Sequence, residues 1–405
     1  MEKKLLTNGN TFKRTDGRWG GVVWFLNESG ERKRKSFSGT TKMEVKKKIT
    51  EYISDFDKLV EEADESKKTL FVSMQNWLEV FKYPMVESTT YDRLECTARH
   101  HAYPELGNRV VCTITAADIK KILNDRMHRG YAFTTVKKIH DLFGEYFRYM
   151  VEQEFLQKNP MLSVPMMKKA NFMAAQGKEC KPTSEEITVF TEEKLQAFKA
   201  ECFRTFKDGK RMYQQAAAYM FMVNTGLRPG EMLGLLNSDI DLEKRIVHVR
   251  RGVKEVAKRD GSKAIKGRTI KVGKLKTASS KRDIPLNKAA IAMVEDLRRE
   301  FYFGEDAPLV CDVHGEFTKP LNFRKRFERI IKAAHLPDYL SLHSLRHTYA
   351  TRLGNGVKQP DGTILRLSPK QIANLLGHST SEVTELYYIR NDPTALEGVT
   401  DGFDV

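Results

Sequence analysis

Residues 160–188 hold three prolines (Pro160, Pro165 and Pro182), show no helical or strand period, and end in a polar stretch. Proline removes a backbone donor and breaks repeating structure, so such a stretch reads as an interdomain linker run over the surface. The chain on either side of it must therefore build separate cores. With 405 residues in all, two or three domains are expected, and a composition of 40% hydrophobic and 30% charged residues suffices to bury a core in each.

Ahead of this boundary, the period of the hydrophobic pattern changes once. Residues 1–65 read as a small module of three strands and one helix. Asp16-Gly17 separates two strand-like runs, Asn27–Gly30 forms a second turn, and Glu31–Ser38 is a basic strand. Thr40 or Thr41 then caps a helix reaching about Ala63. Residues 1–50 contain 13 Lys/Arg against 5 Asp/Glu, with Arg32, Lys33, Arg34 and Lys35 consecutive on the third strand. A strand lying in a major groove presents such residues to phosphates and bases, so these four are candidate DNA contacts; the competing reading is a solvated edge strand that deters aggregation. Residues 67–165 are helical, with Leu70, Phe71, Met74, Trp77, Leu78 and Phe81 at helical spacing and further helices over 118–128 and 134–152. The aromatic residues Phe143, Tyr146, Phe147 and Tyr149 are expected in the core.

Lys+Arg 69 against Asp+Glu 53 gives a formal net charge of +16, which favours a polyanionic partner. Five dispersed cysteines without a C-x-x-C pair read as reduced thiols, neither a disulfide frame nor a zinc site. No apolar run has the length of a secretory signal or a membrane span, so a soluble intracellular protein is expected.

Residues 189–390 form a mostly helical third unit interrupted by strands over 245–251, 269–274 and 281–285. Four of its segments carry chemistry. Asn224–Glu231 (NTGLRPGE) sets Arg228 after a glycine turn at a helix start, and Lys274–Arg282 (KLKTASSKR) forms a turn between strands. His343-Ser344-Leu345-Arg346 puts a histidine and an arginine on one helical face, and Leu375-Leu376-Gly377-His378 precedes Tyr387 and Tyr388 by nine and ten residues from the histidine. Two guanidiniums can bind the non-bridging oxygens of a phosphodiester and stabilise charge on its pentavalent transition state. A tyrosine can attack in line, and a lysine or histidine can protonate the leaving oxygen. The clustered carboxylates of a magnesium nuclease are missing from these segments. His343 and His347 lie one turn apart, but no third ligand accompanies them, so zinc is not expected.

In their order and spacing, TGLRPGE, LKTASSKRDIPL, HSLRHTYAT and LLGHS resemble the tyrosine recombinase family, the integrases of phages and conjugative transposons, over residues 185–390. The resemblance implies a multidomain α+β chain: an arm-type DNA-binding module (1–65), a helical core-binding domain (67–165), a linker (166–188), a mostly α catalytic domain with a small antiparallel sheet (189–390), and a tail (391–405). It further implies that Arg228 and Arg346 clamp the scissile phosphate and that Lys276, rather than Lys274 or Lys281, protonates the 5′ oxygen. His343 would assist proton transfer at the nucleophile, His378 would hydrogen-bond the phosphate, and Glu231 would support Arg228. The nucleophile is Tyr388 or its neighbour Tyr387; Tyr388 is preferred because Tyr388-Ile389-Arg390-Asn391 matches a context in which the family's tyrosine occurs. The implied activity is site-specific integration and excision of a mobile element through a 3′-phosphotyrosine, without cofactor or metal. The implied partners are double-stranded DNA at core and arm-type attachment sites, a homotetramer on DNA, an excisionase and a host DNA-bending protein, in a bacterial cytoplasm at the nucleoid. A type IB topoisomerase-like enzyme and a non-catalytic architectural DNA-binding protein are the alternatives. The 246–275 and 354–366 segments are longer than this plan requires, the second with hairpin chemistry at Asp361-Gly362.

Overall fold

The computed structural model describes residues 4–26, 31–179, 188–274, 280–358 and 363–377. The chain divides into two compact units, Met1–Cys180 and Lys181–Val405. No helix among the described residues is long and apolar enough to cross a membrane.

The first unit opens with β1 (Lys4–Leu5), β2 (Asn10–Lys13), β3 (Trp19–Leu26) and β4 (Arg32–Gly39). Strand β3 is central, pairing antiparallel with β1 and β2 and, along eight residues, with β4. The three expected strands are present, and β1 adds a short fourth. Helix α1 (Lys42–Ala63) starts at a reciprocal cap: the Glu44 amide donates to the Thr41 hydroxyl, and the Glu44 carboxylate accepts from the Thr40 amide. Val45 and Ile49 of α1 pack against Val23, so the odd-numbered face of β3 is covered by the helix. Gly21 permits that approach, since a Cβ there would stand 2.6 Å from Ile49.

Six helices follow: α2 (Leu70–Trp77), α3 (Ser88–Thr97), α4 (Tyr103–Leu106), α5 (Ala116–His128), α6 (Phe133–Glu152) and α7 (Lys169–Ala175). Thr115 and Asp118 form a capping box at the start of α5. The expected aromatic core holds for Phe143, Tyr146 and Phe147, all fully buried; the Tyr146 hydroxyl donates to Ser73 Oγ at 2.8 Å, satisfying its one polar atom. Tyr149 packs at the edge of that core. The expected linker over 166–188 requires correction in its first half. Phe172 of α7 is buried against Phe133, and the Gln176 side-chain Nε2 donates to the carbonyls of Met127 and Tyr131. A two-turn helix anchored by one aromatic residue leaves no readable period. Residues 180–187 lie outside the described residues.

The second unit comprises α8 (Glu192–Cys202), α9 (Ala217–Thr225), α10 (Pro229–Met232), β5 (Ile240–Asp241), β6 (Ile246–Val249), β7 (Arg251–Asp260), β8 (Lys263–Lys274) and β9 (Arg282–Pro285). It continues with α11 (Lys288–Glu300), α12 (Pro320–Ala333), α13 (Leu342–Asn355), β10 (Val357–Lys358), β11 (Ile364–Leu365) and α14 (Pro369–Leu376). Helix α9 is apolar around its whole circumference and accordingly runs through the core, against α11 and α13. The long 246–275 region is resolved into two pieces. Strand β6 joins β5 and β9 in a three-stranded antiparallel sheet, while β7 and β8 form a separate ribbon closed near Gly261, with a register shift between Ala257 and Arg259. In the 354–366 segment β10 pairs antiparallel with β11, as expected of a hairpin, and the expected turn at Asp361-Gly362 lies outside the described residues.

Candidate active site

Helix α9 ends at Gly226, whose left-handed φ of +66° caps the helix. A Cβ there would also stand 2.4 Å from the Tyr349 ring and 2.8 Å from Leu376, so only glycine lets α9, α13 and α14 meet. Pro229 then opens α10, and Gly230 brings it against the Val253 carbonyl of β7, where a Cβ would stand at 2.8 Å. This local chemistry places Arg228 at the junction.

The Arg228 side chain is 35% exposed. It donates from Nη1 to Glu231 Oε1 at 2.7 Å and from Nη2 to the Gly377 carbonyl at 3.1 Å. Arg346, one turn into α13, is 3% exposed and donates to the carbonyls of Gly226 (2.7 Å) and Leu376 (2.8 Å). Both guanidiniums thus converge on the C-terminus of α14. His343 sits beside them at the solvent edge: partial desolvation, then the charges of Arg346 and Arg228, hold its imidazole below the usual range. A groove of about 750 Å³ opens next to it, lined in part by Pro229, Arg268 and Arg324.

The box around His343 is also anchored by the chain entering this unit. Thr188 Oγ1 bonds Ser344 Oγ at 2.6 Å, and the Phe190 amide donates to Thr348 Oγ1. His347 follows one turn further along α13: burial, then His343 and Arg346, push its pKa down to about 4. A histidine kept neutral in the fold takes up its proton more readily when unfolded, so stability is full above about pH 6.5 and falls toward pH 4. For the 2.5-unit depression (6.5 minus 4) the loss is roughly 3 kcal/mol. Denaturant midpoints of the wild-type chain should drop across that window, and His347→Gln should flatten the drop.

The structure therefore brings together Arg228, His343 and Arg346. Lys276, His378, Tyr387 and Tyr388 lie outside the described residues, although the flanks of two of them are in place. Strand β8 ends at Lys274 and β9 begins at Arg282, on either side of the segment that bears Lys276; α14 is capped by Gly377, the residue before His378.

One participant, Arg282, was not assigned from sequence; it meets Glu231, the expected support of Arg228. Glu231 is 3% exposed and accepts from two arginines, Arg228 and Arg282. Burial would raise its carboxyl, but the bonds and charge of Arg282, then Arg228, hold it below the carboxylate range. The signal for Arg282 was present: in β9 it shares a face with buried Ile284, two residues on, so the pleat turns a cation inward.

In the first unit, the pleat divides the four basic residues of β4. Arg32 and Arg34 pair with Leu26 and Trp24, on the face opposite α1, where Arg32 lies 4.6 Å over the Trp24 ring. Lys33 and Lys35 pair with Phe25 and Val23 on the helix-covered side, and Lys33 forms an ion pair with Glu31.

A family model described as the phage integrase family matches residues 188–394. The tyrosine recombinase XerC-like protein of Caldanaerobacter subterraneus subsp. tengcongensis is 28% identical over 394 residues, covering 93% of this chain and 94% of that one. Among solved structures, the Tn1549 transposon integrase in complex with transposon right-end DNA superposes with a TM-score of 0.62 at 18% identity, covering 84% of this chain and all of that one. The lambda integrase tetramer bound to a Holliday junction gives 0.57 at 17% identity, over 92% of this chain and 96% of that one. With the family match spanning both arginines, His343 and the ends of the adjoining turn and helix, the chain belongs to the phage integrase family of tyrosine recombinases.

Proposed function

We propose that this site-specific recombinase cuts DNA with Tyr388, held opposite a phosphate clamp made by Arg228 and Arg346. The observation that carries this reading is the convergence of both guanidiniums on the last carbonyls of α14, with His343 beside them. In the first step the Tyr388 oxygen attacks the scissile phosphorus and loses its proton, with His343 assisting. The bond to the 5′ oxygen breaks, and Lys276 protonates that oxygen, while His378 hydrogen-bonds the phosphate. The product is a 3′-phosphotyrosine and a free 5′ hydroxyl. Attack by the 5′ hydroxyl of a second strand reverses the chemistry, so one phosphodiester is exchanged for another with no outside energy source.

The assembly is a homotetramer acting through a Holliday junction, the form in which the related lambda integrase is solved. Residues 1–65 serve as the arm-type module, residues 67–165 bind core sites, and an excisionase and a host bending protein set direction; the enzyme works in a bacterial cytoplasm at the nucleoid. The test is a nicked suicide duplex built on sites that the full chain selects from a random pool. A covalent protein–DNA adduct supports the reading. Specific binding without adduct favours an architectural protein, and relaxation of a plasmid lacking any selected site favours a topoisomerase.

For the arm module, the strand face away from α1 favours Arg32 and Arg34 over Lys33 and Lys35 as the DNA contacts. Replacing both by alanine should weaken binding to an arm-type duplex by at least about 10-fold. Replacing Lys33 and Lys35 should cost less and mainly reduce the salt dependence. Equal losses for the two pairs would place the helix side against DNA instead.

A further inference from the structure

Three guanidiniums meet three consecutive carbonyls at the end of α14: Arg282 Nε holds Leu375 at 2.6 Å, Arg346 holds Leu376 and Arg228 holds Gly377. The last carbonyls of a helix lack intrahelical donors and carry the negative end of its dipole, so cations settle there. Two of the three belong to the phosphate clamp. Arg282 has no part in that clamp, and four of its five N–H donors are taken by groups inside the protein. Its Nη1 bonds Glu231 Oε1 and the Ser280 carbonyl, and its Nη2 bonds Glu231 Oε2 at 2.9 Å.

Glu231 in turn fixes Arg228 twice, accepting from its main-chain amide at 2.9 Å and from Nη1 at 2.7 Å. The geometry points to Arg282 as a positioning residue for strand cleavage, which orients Arg228 through Glu231 while pinning the turn of α14 from which the chain proceeds to His378. A planar fork is needed for this. The guanidinium reaches a carboxylate on one edge and a helix-end carbonyl on the other, whereas an ammonium at one point can satisfy only one of them. If neutralising Glu231 were its whole contribution, lysine would serve equally well.

The inference rests on the phosphate clamp proposed above, and the experiment separates the two. Full-length Arg282→Lys and Arg282→Met are compared with wild type in thermal melting, noncovalent binding to a selected half-site, and single-turnover cleavage. Cleavage is measured on a normal strand and on one with sulfur at the 5′ bridging position, whose thiolate leaves without a proton. Arg282→Lys keeps a cation at Glu231, so it decides the question if the methionine variant does not fold. We expect Arg282→Lys to bind DNA as wild type does and to cleave about 100-fold more slowly. Sulfur should not restore the rate, because the loss lies in the clamp. Wild-type cleavage by Arg282→Lys would overturn the inference. So would rescue by sulfur, which would mean that Arg282 acts only through the segment bearing Lys276. Absence of an adduct with the wild-type chain would instead remove the clamp reading itself.

Discussion

Tyr388→Phe should abolish the covalent adduct on a nicked suicide duplex, and Tyr387→Phe should leave it. The change removes one hydroxyl oxygen, so folding and noncovalent site binding should be those of the wild-type chain. Cleavage should disappear, because the proposed arginine clamp would stabilise a pentavalent phosphorus only when a nucleophile is bonded to it. Adjacent tyrosines cannot both be aimed at one phosphate, since successive side chains diverge in any regular backbone. Peptide mapping of the trapped complex reads the assignment directly. An adduct that survives Tyr388→Phe and is lost with Tyr387→Phe would transfer the role to Tyr387, nine residues after His378.

Arg346→Lys is expected to lower single-turnover cleavage by about 10²–10³-fold, the usual effect of losing one preorganised donor to developing charge. The arginine is 3% exposed and holds the carbonyls of Gly226 and Leu376 together. Lysine retains the charge but reaches one carbonyl, leaving the other buried without its donor at a cost of about 1–3 kcal/mol. A modest fall in melting temperature with a much larger fall in cleavage is therefore the expected pattern. Cleavage falling only in step with the folded fraction would reduce Arg346 to a structural brace between α9, α13 and α14. Half-site affinity measured on the same preparation separates binding from chemistry.

Much of the fold was legible because its signals are local. Thr41 and Glu44 cap α1, and the buried face of α6 follows a 3.6-residue period, each readable without knowing what lies across the core. The places where reading stopped are equally specific. Helix α7 carries a single buried aromatic residue and looked like linker. The 246–275 stretch gave strand character, but not that β6 would leave for the sheet of β5 and β9 while β7 and β8 formed their own ribbon. Arg282 lay inside a motif already quoted and was passed over beside the lysines around it.

Sequence alone determined the class of chemistry, because arginine, lysine, histidine and tyrosine in that order and spacing are a property of the chain as written. It also named Arg228, His343 and Arg346 before any fold was drawn. Tertiary structure decided what holds them. Gly226 meets Tyr349 and Leu376, far along the chain, and the carbonyls of Leu375, Leu376 and Gly377 gather arginines from three other elements. It likewise decided which half of the Arg32–Lys35 run faces away from α1, since strand register sets the side on which each residue emerges. Side-chain identity is written residue by residue, whereas the partners of a buried donor are set by packing between segments distant in sequence, and only the folded chain brings those together.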